Sequence, residues 1–464
     1  MRHVHQWTLK KRNLGVWVFE RQVGILLYAD DIVLVAESAK ELQLMLDCCS
    51  EYATQWQFRF NTKPGKSDVV IAPPGAHPGD QPQFFLSGSE LHVSEEYKYL
   101  GVEMGKTGQG CWKSYLHRAR KKALAAANQL AYCVGGSRPL CLSTSVHLFK
   151  TLVWPVLEYG DSIWGAMCNQ AGLTMLEQVQ ERFCRRIMRL PSSVAGEYVR
   201  RELGLASMRE RVDCAAFKFF GHLAGMEPSR LAGYIFRKRC DQVDNGSHGA
   251  SSSWCRPMKQ KLTTAGWNNV WAARAVPDDW RDSVMERIAH QHLTESRLIG
   301  MSSLAVFHRL GASSVPGWLN RALNHPGAIL RLKLRCGGAP VMERVGAMMK
   351  IDRPMRLCVM CDEQQVEDAE HFACCQCAYY ATERAECLRR ITEIADTERA
   401  PTLTRAVQNS ELALFLGDGA LGELPAPKQL AVDNVICNFL KVAWRKRSKL
   451  WKLVCADGNE WRLK

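Results

Sequence analysis

The sequence predicts an α+β N-terminal portion, an antiparallel sheet with a helix, followed by a mostly α-helical chain that carries one small cysteine-rich knuckle. Three observations predict this. Apolar runs rich in β-formers alternate with short polar steps over residues 14–36. Apolar residues then recur at spacings of three and four through most of 111–350. Five cysteines and one histidine crowd into 358–377.

Taken in order, Ile25-Leu26-Leu27 and Ile32-Val33-Leu34-Val35 read as two buried strands around Asp30-Asp31, with the polar step as a tight hairpin turn. Glu37 to Phe60 reads as a helix, because Leu42, Met45, Leu46, Cys49 and Tyr52 recur near helical spacing. Val69-Val70-Ile71 is a short strand, and Pro73 to Gly79 breaks the chain into a loop. Tyr97 to Val102 is expected to form one strand that enters a turn near Gly105. Leu176, Val179, Phe183, Ile187 and Leu190 mark one apolar helix face, beside a basic stripe of Arg182, Arg186 and Arg189, and Pro191 ends the helix. The Gly/Ser-rich stretch Asp241 to Ser253 reads as a flexible linker. Residues 258–350 and the chain beyond the knuckle read as helical, and no internal repeat is seen.

Composition narrows the function classes. The hydrophobic share of 47% supports real cores and argues against wholesale disorder. The 61 Lys+Arg exceed the 47 Asp+Glu, for a net charge of +14. Residues 106–239 hold 21 basic and 9 acidic side chains, an excess of +12, and residues 441–464 hold 8 and 2, an excess of +6. Clustered positive charge favours a polyanionic partner. No uncharged run approaches the ~18 residues of a membrane span, so no membrane partner is expected. The 19 cysteines, an odd number without a secretory leader, fit an intracellular protein with reduced thiols.

Two constellations carry chemistry. Asp30 and Asp31 at a hairpin tip offer oxygen ligands suited to magnesium, a hard cation that commonly shares its ligands with phosphates. Cys358-x-x-Cys361, followed by His371 and Cys377, has the spacing of a zinc site, with Cys375 as the alternative fourth ligand. So small a segment buries little surface, and a bound metal would supply much of its folding energy. The basic run Trp444 to Lys452 interleaves indoles with cations, which suits phosphate contact with base stacking and equally a surface helix whose tryptophans pack inward.

The tetrad Tyr28-Ala29-Asp30-Asp31 resembles the metal-binding motif of reverse transcriptases, and its flanks resemble those of non-LTR (LINE-like) retrotransposon enzymes. Trp56, Phe58, Phe60, Asn61, Lys66 and Ser67 are similar to the segment that follows the palm helix in that family. Tyr97-Lys98-Tyr99-Leu100-Gly101 resembles its primer-grip hairpin. Segments around Leu148–Trp164, Leu176–Ile187 and Glu202–Leu205 resemble its thumb and linker, and Glu370-His371-Phe372, with Arg331, Lys333 and Arg335 as a basic lead-in, resembles its C-terminal knuckle.

The resemblance implies RNA-directed DNA polymerase ancestry with two-metal nucleotidyl transfer. Asp30, Asp31 and Lys66 would be catalytic, although Lys66 fits a solvated turn equally well. Tyr28, Tyr97, Tyr99, Leu100 and Gly101 would face the primer or nucleotide, and Arg182, Arg186 and Arg189 the duplex backbone. Magnesium and zinc are the implied cofactors. An RNA template, with a DNA primer or target DNA, is the implied partner, together with an upstream reverse transcriptase fragment that would bring the further catalytic Asp and the fingers. Without those parts the isolated chain is expected to be inactive, and the alternative is a non-catalytic nucleic-acid-binding remnant. Nuclear or cytoplasmic placement is expected.

The expected organisation is a partial palm at 1–105, a basic helical thumb and linker at 106–240, a flexible linker at 241–257 and a helical region at 258–350. A zinc-knuckle-like segment at 351–395 and a helical region with a basic tail at 396–464 complete it.

Overall fold

A computed structural model describes residues 14–71, 82–105, 111–134, 140–246, 254–294, 317–322, 326–374, 377–395, 401–409, 411–417 and 419–456, with Val306 and Leu310. The predicted loop at Pro73–Gly79, most of the Asp241–Ser253 linker and Cys375 lie outside the described residues. The chain divides into two compact units. The first is Met1–Ala119, Glu158–Leu173 and Arg209–Gln291, and the second is Arg120–Leu157, Thr174–Met208 and His292–Lys464.

Strands occur in the first unit: β1 (Val16–Val18), β2 (Arg21–Val23), β3 (Ile25–Tyr28), β4 (Asp31–Leu34), β5 (Asp68–Val70), β6 (Phe85–Leu86), β7 (Ser89–Glu90), β8 (His92–Ser94), β9 (Glu96–Tyr99) and β10 (Val102–Gly105). The expected antiparallel sheet is, among the described residues, a set of two-stranded pairs. Four pairs are antiparallel, while β5 and β8 pair in parallel with Val69 opposite Val93.

The helix Ala39–Gln55 organises these pairs. Ser38 caps it by accepting from the Glu41 amide at 3.2 Å, and Glu41 reaches back to the Glu37 and Gly15 amides at 2.8 and 2.5 Å. This reciprocal arrangement satisfies donors that a helix start would otherwise leave open. Met45 packs with Ile25, Leu27, Ile32 and Leu34 of the β3–β4 hairpin, and Leu46 and Cys49 pack with Val69, Phe84, Leu86 and Leu91. One helix thus anchors the base of the hairpin and leaves its tip in solvent.

Residues 209–291 build an aromatic core in the same unit. Phe217 meets Trp267 edge-on at 5.1 Å, Trp267 lies 4.7 Å from Trp280, and the Trp280 indole donates to the Phe217 carbonyl at 2.9 Å. The β1–β2 hairpin docks on the helix Leu231–Asp244. The Arg21 guanidinium lies 4.2 Å from the Tyr234 ring and donates to the Ser229 carbonyl at 2.6 Å. That helix runs four residues into the expected linker, Asp241 to Asp244, where the Asp244 carboxylate is held by the Trp271 indole at 2.9 Å and Lys259 at 2.7 Å.

The second unit packs the helices Pro326–Arg335, Ala381–Ile394 and Ala426–Ala456 around one large core that includes Leu334, Phe372, Leu414, Phe415, Ile436 and Leu440. Two arginines of the expected basic lead-in are buried inside it. Arg331 donates to Asp433 at 2.9 Å and to the Gly417 carbonyl at 2.7 Å, and Arg335 donates to Glu202 at 2.6 Å. They are internal cross-links and do not face solvent, because guanidinium forks can satisfy carboxylates and carbonyls at once.

Candidate nucleic-acid site and metal centre

The β3–β4 hairpin turns through Ala29-Asp30, with Tyr28 paired to Asp31. Asp30 therefore sits in the turn and Asp31 opens β4, where the sequence suggested a turn built from both aspartates. Ala29 takes φ +51°, so the strain of a left-handed residue falls on the small side chain. Both carboxylates are exposed, and Tyr28 is 64% exposed.

The expected single strand at Tyr97–Val102 is in fact a complete hairpin. Tyr99 pairs with Val102 around a two-residue turn, Leu100-Gly101, whose φ values are +46° and +80°. Two consecutive positive φ values suit the tight turn that matches strand twist, and Gly at the second place relieves it. The hydroxyl of Tyr97 donates to the Lys66 carbonyl at 3.0 Å. Partial burial, then the charges of Asp31 and Asp68, raise the Tyr97 phenol above its usual range. The structure thus brings Tyr97, the Lys66 backbone, Asp31 and Asp68 into one neighbourhood, with the Lys66 side chain exposed. Asp68 was missed from sequence, although an acid directly after Lys66-Ser67 was there to be noticed.

Tyr159, which the sequence placed only within the thumb-like segment, is tied to the same turn. Its hydroxyl donates to the Leu100 carbonyl at 2.6 Å, and its own carbonyl accepts from Tyr115 at 2.6 Å and Trp164 at 2.9 Å. In the second unit, the helix Gln170–Ile187 presents Arg182 and Arg186 to solvent. It stops short of the expected Leu190: Arg189 takes φ +54° and Leu190 donates back to the Arg185 carbonyl at 2.9 Å, a left-handed closure ahead of Pro191. Arg189 is exposed but lies beyond the helix.

The knuckle forms where a short hairpin meets a helix. Cys358 donates its amide to the Gln365 carbonyl at 2.8 Å, and Leu357 bridges Val366. Asp368 then caps the helix Ala369–Ala373 by accepting from the Glu370 and His371 amides at 3.0 and 2.9 Å. This aims His371 at the cysteines. The ligand atoms of Cys358, Cys361, His371 and Cys377 all lie within 4.8 Å of one another.

Cys358, His371 and Cys377 are buried, and Cys361 is half-buried. The Nε2 of His371 is 3.3 Å from the Cys361 sulfur, and Nδ1 is 3.3 Å from the Gln365 amide oxygen. A proton on Nδ1 shared with Gln365 leaves Nε2 to ligate, the usual supporting arrangement for metal-bound histidine. A hydrogen bond from the Cys358 thiol lowers Cys377, and the same contact with burial pushes Cys358 up to about 12. Three sulfurs and one imidazole nitrogen at this separation match the donor set of a tetrahedral zinc site, and the cluster could hold such a metal. Cys374 is buried in the apolar core instead.

The basic tail is part of the helix Ala426–Ala456. Trp444 meets Phe372 edge-on at 5.7 Å, and Arg447 is buried, donating to both oxygens of Glu367 at 2.6 and 2.7 Å. Arg445, Lys446 and Lys449 remain exposed. No described helix is long and apolar enough to cross a membrane.

No family model matches the chain. It is 23% identical over 221 residues to the RNA-directed DNA polymerase from mobile element jockey of Drosophila melanogaster, an alignment covering 46% of this chain and 23% of that protein. The jockey polymerase of Drosophila funebris is 24% identical over 230 residues, covering 48% of this chain and 24% of its own. A transposon-derived protein of Caenorhabditis elegans is 31% identical over 156 residues, 31% of this chain and 50% of its own. The aligned part thus spans about a quarter of the jockey polymerases. With the order of motifs around Asp30-Asp31, these similarities relate the chain to the reverse transcriptases of non-LTR, LINE-like retrotransposons.

Proposed function

We propose that this chain is a nucleic-acid-binding portion of a retrotransposon reverse transcriptase, gripping an RNA template and a DNA primer or target DNA through a zinc-filled knuckle and basic helices. The observation that carries the reading is the Cys358–Cys361–His371–Cys377 cluster: among the described residues it is the one group of three or more ligating side chains gathered for a metal. Zinc is proposed because thiolates with imidazole favour it over hard cations. Arg182, Arg186 and Arg189 would neutralise phosphates, which supplies affinity and strong salt dependence without reading sequence.

A second reading, polymerisation, draws on the gathering of Asp31, Tyr97 and the Lys66 loop. Asp30 and Asp31 would hold magnesium, and Tyr97, Tyr99, Leu100 and Gly101 would position the primer end beside Tyr28. A two-metal centre needs further acidic ligands. A further reverse transcriptase fragment is the proposed source of one. Primer extension on an RNA template with magnesium separates the readings. Retention of RNA that weakens steeply with salt, without DNA synthesis, is expected. Extension abolished by Asp30→Ala decides for autonomous polymerisation, and no retention at low salt overturns the binding reading.

A further inference from the structure

A cavity of about 310 Å³ opens in the second unit, lined by Leu334, Val341, Glu343, Met348, Arg353 and Asp368 among others. Its wall is shared with the knuckle: the Glu343 amide donates to the Glu367 carbonyl at 3.0 Å, and Asp368 caps the helix that carries His371. The volume lies at the small end of the ~300–1,000 Å³ range of ligand pockets, the scale of one base with its sugar.

The lining combines apolar walls with the carboxylates of Glu343, Asp368 and Glu370 and the guanidiniums of Arg344, Arg353 and Arg356. Arg353 Nε lies 3.3 Å from both oxygens of Glu343 and donates to Oε1, Arg356 lies 3.7 Å from Oε1, and the buried Oε2 has the Arg353 ion pair but no hydrogen bond from the protein. A buried carboxylate oxygen of this kind expects a donor. Arg353 is 58% exposed at the rim, with its guanidinium 3.7 Å from Asp368 Oδ2, and Met348 is 75% exposed. A thioether there packs adaptably on an aromatic ring, and a rim guanidinium suits a phosphate.

We infer that this cavity receives an unstacked guanine of single-stranded nucleic acid. Guanine presents two adjacent donors, N1–H and the 2-amino group, on its Watson–Crick edge, and a carboxylate accepts both. Adenine and cytosine each offer a single amino donor there. Arg353 takes the 5′-phosphate. The inference rests on the nucleic-acid-binding reading above for its biological ligand.

Saturation-transfer NMR with guanosine, adenosine, cytidine, uridine and inosine 5′-monophosphates, on the full zinc-loaded chain, tests the cavity directly. Guanosine monophosphate is expected to bind about tenfold or more tightly than the others, inosine included for want of the 2-amino group. Glu343→Gln removes that preference, and Met348→Ala, at an exposed position, weakens guanosine monophosphate several-fold. Equal or absent binding of all five nucleotides, or an unchanged preference in Glu343→Gln with native zinc content, overturns the inference. Salt-dependent RNA retention without a guanine preference discards the cavity and keeps the binding reading. A guanine preference without RNA retention does the reverse.

Discussion

The phenol of Tyr159 donates a 2.6 Å hydrogen bond to the carbonyl of Leu100, and its ring closes over Gly101 so tightly that an added Cβ would lie 2.7 Å from it. The β9–β10 turn, which falls where the sequence predicted one continuous strand, is therefore clamped by a residue 59 positions beyond Leu100. Tyr159→Phe loses one hydrogen bond and should cost about 1 kcal/mol. Gly101→Ala meets both the ring and a left-handed φ and should cost about 1–3 kcal/mol, less in a Tyr159→Ala background. Urea denaturation of the four chains checks the cycle. Additivity of the two changes would remove the clamp.

Asp161, two residues on, is pushed up to about 6 by burial and by the charge of Glu158, with the Ser162 amide and Arg211 opposing. The folded state holds this proton longer than the unfolded chain, whose value is 3.8. Its contribution is complete below the unfolded value and is lost as the pH rises through about 6. Stability measured at steps across that window should fall with rising pH more in the native chain than in Asp161→Asn. Superimposable profiles would refute the assignment.

The knuckle should bind about one zinc per chain by elemental analysis. Cys358→Ser, Cys361→Ser, His371→Ala and Cys377→Ser should each lose it, and Cys374→Ser should not. A chelator should lower the thermal midpoint of the native chain, since the metal contributes folding energy. Full zinc content in Cys377→Ser would point to another fourth ligand.

Arg447→Met leaves Glu367 charged and buried without its partner, and should cost about 3–5 kcal/mol. Arg447→Met with Glu367→Gln should recover part of that loss. Equal destabilisation in the single and double variants, read by chemical denaturation, would show that the pair itself is unimportant.

Arg182→Ala and Arg186→Ala should each lower the slope of log affinity against log salt by about 1 in RNA binding. Arg331→Met should alter stability and leave the slope unchanged, because that side chain is sealed against Asp433. Unchanged slopes in both surface variants would move the phosphate contacts elsewhere.

Much of the candidate site was legible locally. The Asp30-Asp31 hairpin, the Ala39–Gln55 helix and the Cys358–Cys361–His371–Cys377 set depend on short-range periodicity, turn chemistry and ligand spacing, and each stands near its expected place. What failed depended on partners distant in sequence. Arg331 and Arg335 read as a basic lead-in and Arg447 as part of a basic tail, yet Asp433, Glu202 and Glu367 draw them inside, 102, 133 and 80 residues away. A basic residue looks the same in sequence whether it meets phosphate or a buried carboxylate. By itself the sequence determined the retroelement ancestry and the identity of the side chains gathered in the Cys/His cluster. Only the tertiary structure decided which cations face solvent, that Tyr159 clamps Leu100, and that an open carboxylate oxygen of Glu343 lies beside the knuckle, because each depends on which distant segments the apolar cores bring together.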